Sequence, residues 1–189
     1  MIDRKPVLYI DDDKCRNSYS CVRVCPVNAI EVKPQHEHPY IMAQRCIGCG
    51  LCYMSCTPKA ISFRDSRDEV KALLASGRKT VALIEPSLAA EFEDITDYRK
   101  FVAMVRSLGF DHVHEVSFGV DLIAASYARL FSKAEGKYYI SANCPVIVKL
   151  IQKFRPELVP NLAPLVSPMI ATAKVVKDLY GADTAIVQM

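Results

Sequence analysis

The chain has 189 residues, of which 51% are hydrophobic and 24% charged, and this balance excludes a disordered, collagen-like or coiled-coil protein. The net charge of +3 arises from 24 basic and 21 acidic residues without long runs of one sign, so we expect no nucleic-acid partner. Charged residues or prolines interrupt every apolar stretch, and we expect no membrane span. Residues 1–6 do not begin a secretory signal, which predicts a cytoplasmic protein.

Eight cysteines are the most informative feature of the composition. Seven of them lie between Cys15 and Cys56, and the eighth, Cys144, stands alone. Without a visible export signal, this density favours reduced thiolates that bind metal over a set of disulfides. We therefore expect a reducing cytoplasm, and an anaerobic host is consistent with it.

The cysteine-rich segment repeats itself with an offset of 31 residues. The matched pairs are Cys15 with Cys46, Cys21 with Cys52, and Cys25 with Cys56. Ser18 occupies the position that corresponds to Cys49. Alternating apolar residues predict short strands at 7–10, 29–32, 40–42 and 60–63. Such short strands give a core too small to be stable alone, so a bound metal cluster is expected to hold it together.

The pattern changes after residue 64. Residues 65–79 predict a connecting helix, and from Thr80 onward strands alternate with helices. Strands are predicted at 81–84, 112–116, 138–140 and 185–189, and helices at 98–108, 122–131, from Pro145, and from Pro168 to Gly181. The prediction is an α+β ferredoxin-like two-cluster domain (1–64), a linker (65–79) and a partial α/β domain with a parallel sheet (80–189). Because the sequence stops within a strand pattern, we expect it to be a piece of a larger fold.

The spacing Cys46-x-x-Cys49-x-x-Cys52-x-x-x-Cys56 is that of bacterial ferredoxins. In this arrangement three cysteines bind one 4Fe-4S cluster and the fourth binds the other. This rule predicts a cluster-two site. Its ligands are Cys25, Cys46, Cys49 and Cys52. Structural zinc is the alternative, but zinc sites use two CxxC pairs at wider separation and would leave three cysteines unexplained.

The same rule predicts a cluster-one site with one atypical position. Its ligands are Cys15, Cys21 and Cys56, with Ser18 at the remaining corner. A serine oxygen is a harder and poorer iron ligand than a thiolate. Three outcomes follow: a serine-ligated 4Fe-4S cluster, a 3Fe-4S cluster, or an empty site. Paired clusters of this kind imply electron transfer, and the alternative is a structural cluster that never changes oxidation state.

Cys144 lies in a segment that resembles a known family. Ser141-Ala142-Asn143-Cys144-Pro145, Phe154-Arg155-Pro156-Glu157-Leu158 and Ser167-Pro168-Met169 resemble the first active-site loop region of the FeFe-hydrogenase large subunit. The segments Glu85-Pro86-Ser87 and Phe118-Gly119-Val120-Asp121 are similar to the start of the same catalytic domain. With the ferredoxin-like portion, the resemblance covers nearly the whole chain.

The resemblance implies a role for Cys144 as one of four thiolates that hold the H-cluster cubane. The residue before it is a proton-relaying cysteine in the active enzymes, whereas this chain has Asn143. That departure resembles the sensory, non-catalytic branch. The remaining H-cluster ligands belong to later motifs, so we expect an H-cluster only with a continuation of the chain, and no hydrogen turnover by these 189 residues alone.

Three functional hypotheses follow from the sequence. The favoured one is an electron-transfer module that relays electrons to or from a sensory hydrogenase-like domain. The alternatives are the electron-input portion of a catalytic hydrogenase and an iron–sulfur assembly protein. The expected partner is a redox protein or the continuation of the hydrogenase-like domain.

Overall fold

A computed structural model describes residues 7–92 and 97–189 of the chain. Residues 1–6, which carry the expectation about secretion and open the predicted domain 1–64, lie outside the described residues. Contacts divide the chain into two compact units. The first runs to Asp65 and also contains Pro145–Val159, and the second contains Ser66–Cys144 and Pro160–Met189. Among the described residues, every helix is too short or too polar to cross a bilayer.

Short strands and one-turn helices build the cysteine-rich part of the first unit. The elements are β1 (Leu8–Ile10), α1 (Ser20–Val24), β2 (Ile30–Glu31), β3 (Tyr40–Ile41), α2 (Leu51–Ser55) and β4 (Ile61–Phe63). β1 pairs antiparallel with β4, and β2 pairs antiparallel with β3. The predicted strands therefore form, each shortened by one or two residues. The buried cluster around Leu8 and Ile61 includes Cys52 and Cys56, so two thiols belong to the small core.

The second unit is built from the remaining elements, except one helix. They are α3 (Arg67–Leu74), β5 (Thr80–Ile84), α4 (Tyr98–Ser107), β6 (His112–Glu115), α5 (Ser117–Ser132), α7 (Pro168–Tyr180) and β7 (Ala185–Gln188). A 3-10 helix covers Pro86–Ala90, and a second one, Pro156–Asn161, begins in the first unit and ends in the second. The strands form a parallel sheet in the order β6-β5-β7. The parallel sheet predicted from the strand–helix alternation is confirmed.

The central strand β5 explains how the second unit is layered. Every residue of β5 is buried, as expected for a parallel strand that is covered on both faces. Because side chains alternate along a strand, Val81 and Leu83 pack on Val176 of α7. Ala82 and Ile84 pack on the opposite face against Val105 of α4. The sheet therefore lies between two helical layers.

Two elements differ from the sequence expectations. The predicted strand at 138–140 reduces to an isolated parallel bridge between Ile140 and Leu162, outside the three-stranded sheet. Its backbone bonds go to the Asn161 carbonyl and the Ala163 amide, so a local loop pairing replaces sheet pairing. The helix α6 (Pro145–Phe154) packs within the first unit rather than the second, because its apolar side chains contact Val27 and Ile47.

Gly119 marks the closest approach of α5 to α7. A Cβ at this position would stand 2.1 Å from the carbonyl oxygen of Pro168 and 2.4 Å from Oγ1 of Thr172. The Thr172 hydroxyl donates to the same Pro168 carbonyl at 3.0 Å within α7, so both groups that face Gly119 belong to the start of that helix. Only a residue without a side chain fits between the two helices at this separation.

We predict that Gly119→Ala destabilises the protein by about 1–3 kcal/mol, because the added methyl forces the backbones of α5 and α7 apart. Chemical denaturation followed by circular dichroism measures the change. In an exposed helix the same substitution would stabilise by nearly 1 kcal/mol, so the sign of the change is diagnostic. Asp121→Ala, at an exposed position of α5, is the matched control and is expected to change the stability little. Unchanged or increased stability of Gly119→Ala would show that the helices are not in close contact.

Candidate metal centres

One cavity in the first unit is lined by four cysteines from different parts of the chain. These are Cys25, Cys46, Cys49 and Cys52. Cys46 and Cys49 come from the loop that leads into α2, Cys52 lies in the first turn of α2, and Cys25 follows α1 in the first half of the repeat. Apolar side chains, including Leu8, Ile30 and Ile47, form the rest of the wall. The grouping is the one predicted for the cluster-two site.

A second cavity collects the remaining cysteines of the repeat. Its lining includes Cys15, Cys21 and Cys56 together with Ser18. Ser18 is exposed, as is its counterpart Cys49 in the other loop. The structure therefore places Ser18 on the wall where the second half of the repeat has a thiol. This grouping corresponds to the predicted cluster-one site.

Left-handed backbone conformations shape both cysteine loops at matching positions. In the second loop they fall on Gly48 (φ 76°) and Gly50 (φ 81°). In the first loop they fall 31 residues earlier, on Asn17 (φ 51°) and Tyr19 (φ 56°). Glycine adopts this region freely, whereas a residue with a side chain loses on the order of 1 kcal/mol. The first loop keeps the same backbone shape although its residues make that shape costly.

A third matched pair of left-handed residues lies beside the fourth cysteine of each motif. Asn28 (φ 48°) lies three residues after Cys25, and Lys59 (φ 55°) lies three residues after Cys56. After each of these turns a backbone amide donates to sulfur: Ala29 N to Cys25 Sγ and Ala60 N to Cys56 Sγ, both at 3.2 Å. Amide donors to sulfur stabilise the negative charge of a thiolate and tune the potential of a bound cluster.

Burial of the thiols fits the chemistry of an iron–sulfur ligand set. Burial raises the pKa of Cys52 to about 11, and it also raises the pKa of Cys21. Such thiols stay protonated until a metal replaces the proton, since a coordinated thiol is deprotonated. Within the described part of the chain no group of three His, Cys, Asp or Glu side chains is arranged around a single ion. The ligands of a cubane bind different iron atoms, so soft thiolates spread around a cavity fit this group.

The helix α6 covers the second cysteine loop, which sequence reasoning did not anticipate. Val146, Leu150 and Phe154 pack against the buried cluster that contains Val27 and Ile47. The spacing of these three residues gives the apolar stripe visible in the sequence, but the stripe alone does not identify its packing partner.

Two lysines of α6 reach the same loop. Nζ of Lys153 donates to the carbonyl of Cys46 at 2.7 Å and to that of Ala43 at 3.1 Å. Nζ of Lys149 lies 3.8 Å from the position that a Cβ on Gly48 would occupy. The Arg45 guanidinium stacks at 5.2 Å from the Phe154 ring and donates to the Val27 carbonyl. Cationic side chains therefore surround the backbone between Cys46 and Cys49.

Cys144 is exposed and lies directly before α6 in the sequence. The strand predicted at 138–140 would put Cys144 just beyond the end of a sheet strand, but residues 138–140 do not join the sheet. The neighbouring Asn143 accepts a hydrogen bond from the Tyr127 hydroxyl at 3.2 Å. The backbone amide nitrogen of Asn143 donates to Oγ of Ser141 at 3.4 Å, so local hydrogen bonds fix this loop.

The strand histidines have a structural explanation. His112 stacks on the Tyr180 ring with the centroids 4.1 Å apart, and Nε2 of His114 is 3.1 Å from the Tyr180 hydroxyl. Burial lowers the pKa of His114, which favours its neutral form at this contact. Both side chains therefore contribute to packing between β6 and α7.

Comparisons with known proteins match both parts of the chain. Residues 78–189, more than half of the chain, match the model of the iron-only hydrogenase large subunit, C-terminal domain. Residues 7–57 match the 4Fe-4S dicluster domain. These matches and the grouped cysteines identify an iron–sulfur electron-transfer module of a hydrogenase-like protein.

Several curated proteins are similar to the chain. The NADP-reducing hydrogenase subunit HndD of Solidesulfovibrio fructosivorans is 25% identical over 90% of this chain and 26% of its own length. The cytosolic Fe-S cluster assembly factor NAR1 of Yarrowia lipolytica is 25% identical over 71% of this chain and 30% of its own length. The uncharacterized ferredoxin MJ0265 of Methanocaldococcus jannaschii is 42% identical over 32% of this chain and 34% of its own length.

The chain thus spans about a third or less of the length of each of these relatives. The hydrogenase match covers more than half of the chain, and it includes both the strand-and-helix unit and the segment around Cys144. The chain belongs to the iron-only hydrogenase large subunit family.

Proposed function

We propose that the first unit holds two iron–sulfur clusters and relays single electrons between a redox partner and the hydrogenase-like part of the protein. The observation that carries this proposal is the crossed grouping of the cysteines into two separate cavities. Cys25 belongs to the first motif but lines the cavity of the second loop, and Cys56 belongs to the second motif but lines the cavity of the first loop. This crossing is the ligand pattern of two-cluster ferredoxins.

Each proposed cluster is bound by ligands from both halves of the repeat. Cys25, Cys46, Cys49 and Cys52 hold a 4Fe-4S cluster at the cluster-two site. A cluster of this kind supplies a centre that accepts and returns one electron without an open coordination position. The amides of Ala29 and Ala60 stabilise the thiolates of Cys25 and Cys56, and the loops exclude water from the buried Cys52 and Cys56.

At the cluster-one site we propose that Ser18 occupies the fourth corner of the ligand set. Asn17 and Tyr19 retain the left-handed conformations of Gly48 and Gly50, so the loop is shaped to present residue 18 to the cavity. An oxygen ligand at this corner holds iron less firmly than the thiolate of Cys49, because iron in such clusters prefers soft sulfur donors. The cluster-one site is therefore the labile one: loss of that iron gives a 3Fe-4S cluster, which air and a chelator then remove completely.

The parent protein is proposed to be a sensor rather than a hydrogen-producing enzyme. Asn143 stands where the resemblance expects a proton-relaying cysteine, and its side chain is engaged by Tyr127. A side-chain amide does not ionise near neutral pH, so this position cannot relay protons. Cys144 is proposed as one H-cluster ligand, and it supplies a single thiolate of the set. The electron-input portion of a catalytic hydrogenase remains the alternative.

Two further points belong to the same proposal. The partner is a redox protein or the continuation of the hydrogenase-like domain, which the similarity to the hydrogenase subunit HndD supports, and the compartment is the reducing cytoplasm of an anaerobe. Similarity to the assembly factor NAR1 covers less of the chain, 71% against 90%, at the same 25% identity. Iron–sulfur assembly is therefore the weaker candidate.

We predict that Ser18→Cys converts the labile site into a stable one. After anaerobic reconstitution and brief exposure to air and a chelator, the unaltered chain should keep only the iron of the cluster-two site, about four atoms per chain. The Ser18→Cys protein should keep about twice as much, because a thiolate replaces the oxygen ligand. Iron and sulfide analysis with electron paramagnetic resonance measures the result. Ser62→Cys, an added thiol at an exposed position of β4, is the control and should retain no extra iron. Equal retention by the unaltered and Ser18→Cys proteins would contradict the assignment of Ser18.

We predict that pairs of cysteine substitutions reveal the crossed ligand sets. In the Ser18→Cys background, Cys25→Ala with Cys49→Ala removes two ligands of one site and should leave about four chelator-resistant iron atoms. Cys56→Ala with Cys49→Ala removes one ligand from each site and should leave almost none. Both double variants lose the same number of thiols, so each controls for the other. The opposite order of iron retention would show that each motif binds its own cluster.

A further inference from the structure

The two cysteine loops lie in different electrostatic surroundings within the first unit. The second loop is contacted by α6, whose lysines stand four residues apart and therefore share one face of the helix. Lys153 is half-buried, and its ammonium donates to the carbonyl of the ligand residue Cys46 at 2.7 Å. The ammonium of Lys149 lies beside Gly48, midway between Cys46 and Cys49. Two positive charges are thus directed at the backbone that wraps the cluster-two site.

Charges of both signs surround the first loop instead. Asp12, Asp13 and Arg16 line a polar pocket that also includes Cys15. Arg23 donates to the carbonyl of Ser18 at 3.3 Å. The described neighbours of the first loop therefore include acidic as well as basic side chains.

A positive charge lowers the free energy of an added electron, and the effect is stronger where the charges are partly removed from water. Reduction of a 4Fe-4S cluster from 2+ to 1+ adds one negative charge without making or breaking a bond. Hydrogen bonding and nearby charge are among the factors that set the potential of such clusters. The ammonium of Lys153 donates one hydrogen bond to the Cys46 carbonyl and one to the Ala43 carbonyl, so it acts on both oxidation states from a fixed position.

We infer that Lys149 and Lys153 of α6 raise the reduction potential of the cluster-two site above that of the cluster-one site. An electron that enters the module then resides mainly on the cluster-two site. This inference rests on the proposed binding of two clusters. The oxygen of Ser18 acts in the same direction, because a hard donor stabilises the oxidised form of iron at the cluster-one site. The lysines therefore make the first unit a directional relay, in which the cluster covered by α6 is reduced first.

The experiment is a dithionite titration of the anaerobically reconstituted chain, followed by electron paramagnetic resonance. Each step takes one electron from dithionite. The midpoint potential of the cluster-two site is the one that remains in a Cys15→Ala, Cys21→Ala variant, which lacks two ligands of the cluster-one site. A lower potential at the cluster-two site than at the cluster-one site would overturn the inferred order. Lys153→Met should lower the equilibrium constant for reduction of the cluster-two site about tenfold, which is about 59 mV for one electron. Lys149→Met should lower it in the same direction, and the double variant should lower it further.

Two controls separate charge from structure. Lys153→Arg keeps the positive charge and the donors, so its potential should stay near that of the unaltered chain. Gln152→Met changes an exposed, uncharged position of the same helix and should leave both potentials unchanged. Should Lys153→Met fail to fold because the carbonyls of Ala43 and Cys46 lose their donor, Lys149→Met decides the question.

The possible results distinguish the inference from the proposal beneath it. Bound iron with an unshifted potential in both methionine variants would overturn the role of the lysines and leave the two-cluster proposal intact. An equal shift in Lys153→Met and Lys153→Arg, with none in Lys149→Met, would show that Lys153 acts only through local structure. A reconstituted chain that binds no iron would overturn the proposed function, and the inference with it.

Discussion

The first unit depends on one constraint: two short loops must turn three or four sulfur atoms inward around a cavity while their backbones still satisfy a very small core. Left-handed residues at fixed positions meet this constraint, and they recur at the same offset as the cysteines. The second loop uses Gly48 and Gly50 for this purpose, whereas the first uses Asn17 and Tyr19. Because Cys52 and Cys56 also belong to the buried core, metal binding and folding share the same atoms.

The persistence of this geometry in the first loop bears on the meaning of Ser18. A loop that had lost its ligand function would gain stability by relaxing the strained conformations of Asn17 and Tyr19. The first loop instead keeps these conformations. Cys56, which lines the same cavity, keeps its hydrogen bond from a backbone amide to sulfur. The backbone frame around residue 18 is therefore kept, which agrees with the proposal that Ser18 changes the potential and lability of the cluster-one site rather than the fold.

The sequence predicted local features well and long-range packing poorly. The crossed ligand sets follow from cysteine spacing, because the geometry of a cubane limits which thiols a short loop can direct to it. Strand β5 is recognisable from a run of apolar residues, since a strand covered on both faces has no polar side. Residues 138–140 have the same local character, but a tertiary pairing of Ile140 with Leu162 replaces sheet pairing. The packing of α6 on the second cysteine loop was also missed, because the apolar stripe of a helix does not specify the surface that it covers.

The packing of α6 does not follow the boundary between the two family matches. The match to the hydrogenase large subunit covers residues 78–189, yet α6, inside that range, packs with the cysteine-rich segment in the first unit. Lys149 and Lys153 belong to the hydrogenase-like sequence, while the ligands that they approach belong to the dicluster domain. The inferred effect of the two lysines therefore connects a helix of the hydrogenase-like sequence to the proposed cluster-two site. Since α6 also begins at the residue after Cys144, the thiol proposed as an H-cluster ligand and the two lysines proposed to act on the cluster-two site belong to one continuous segment of the sequence.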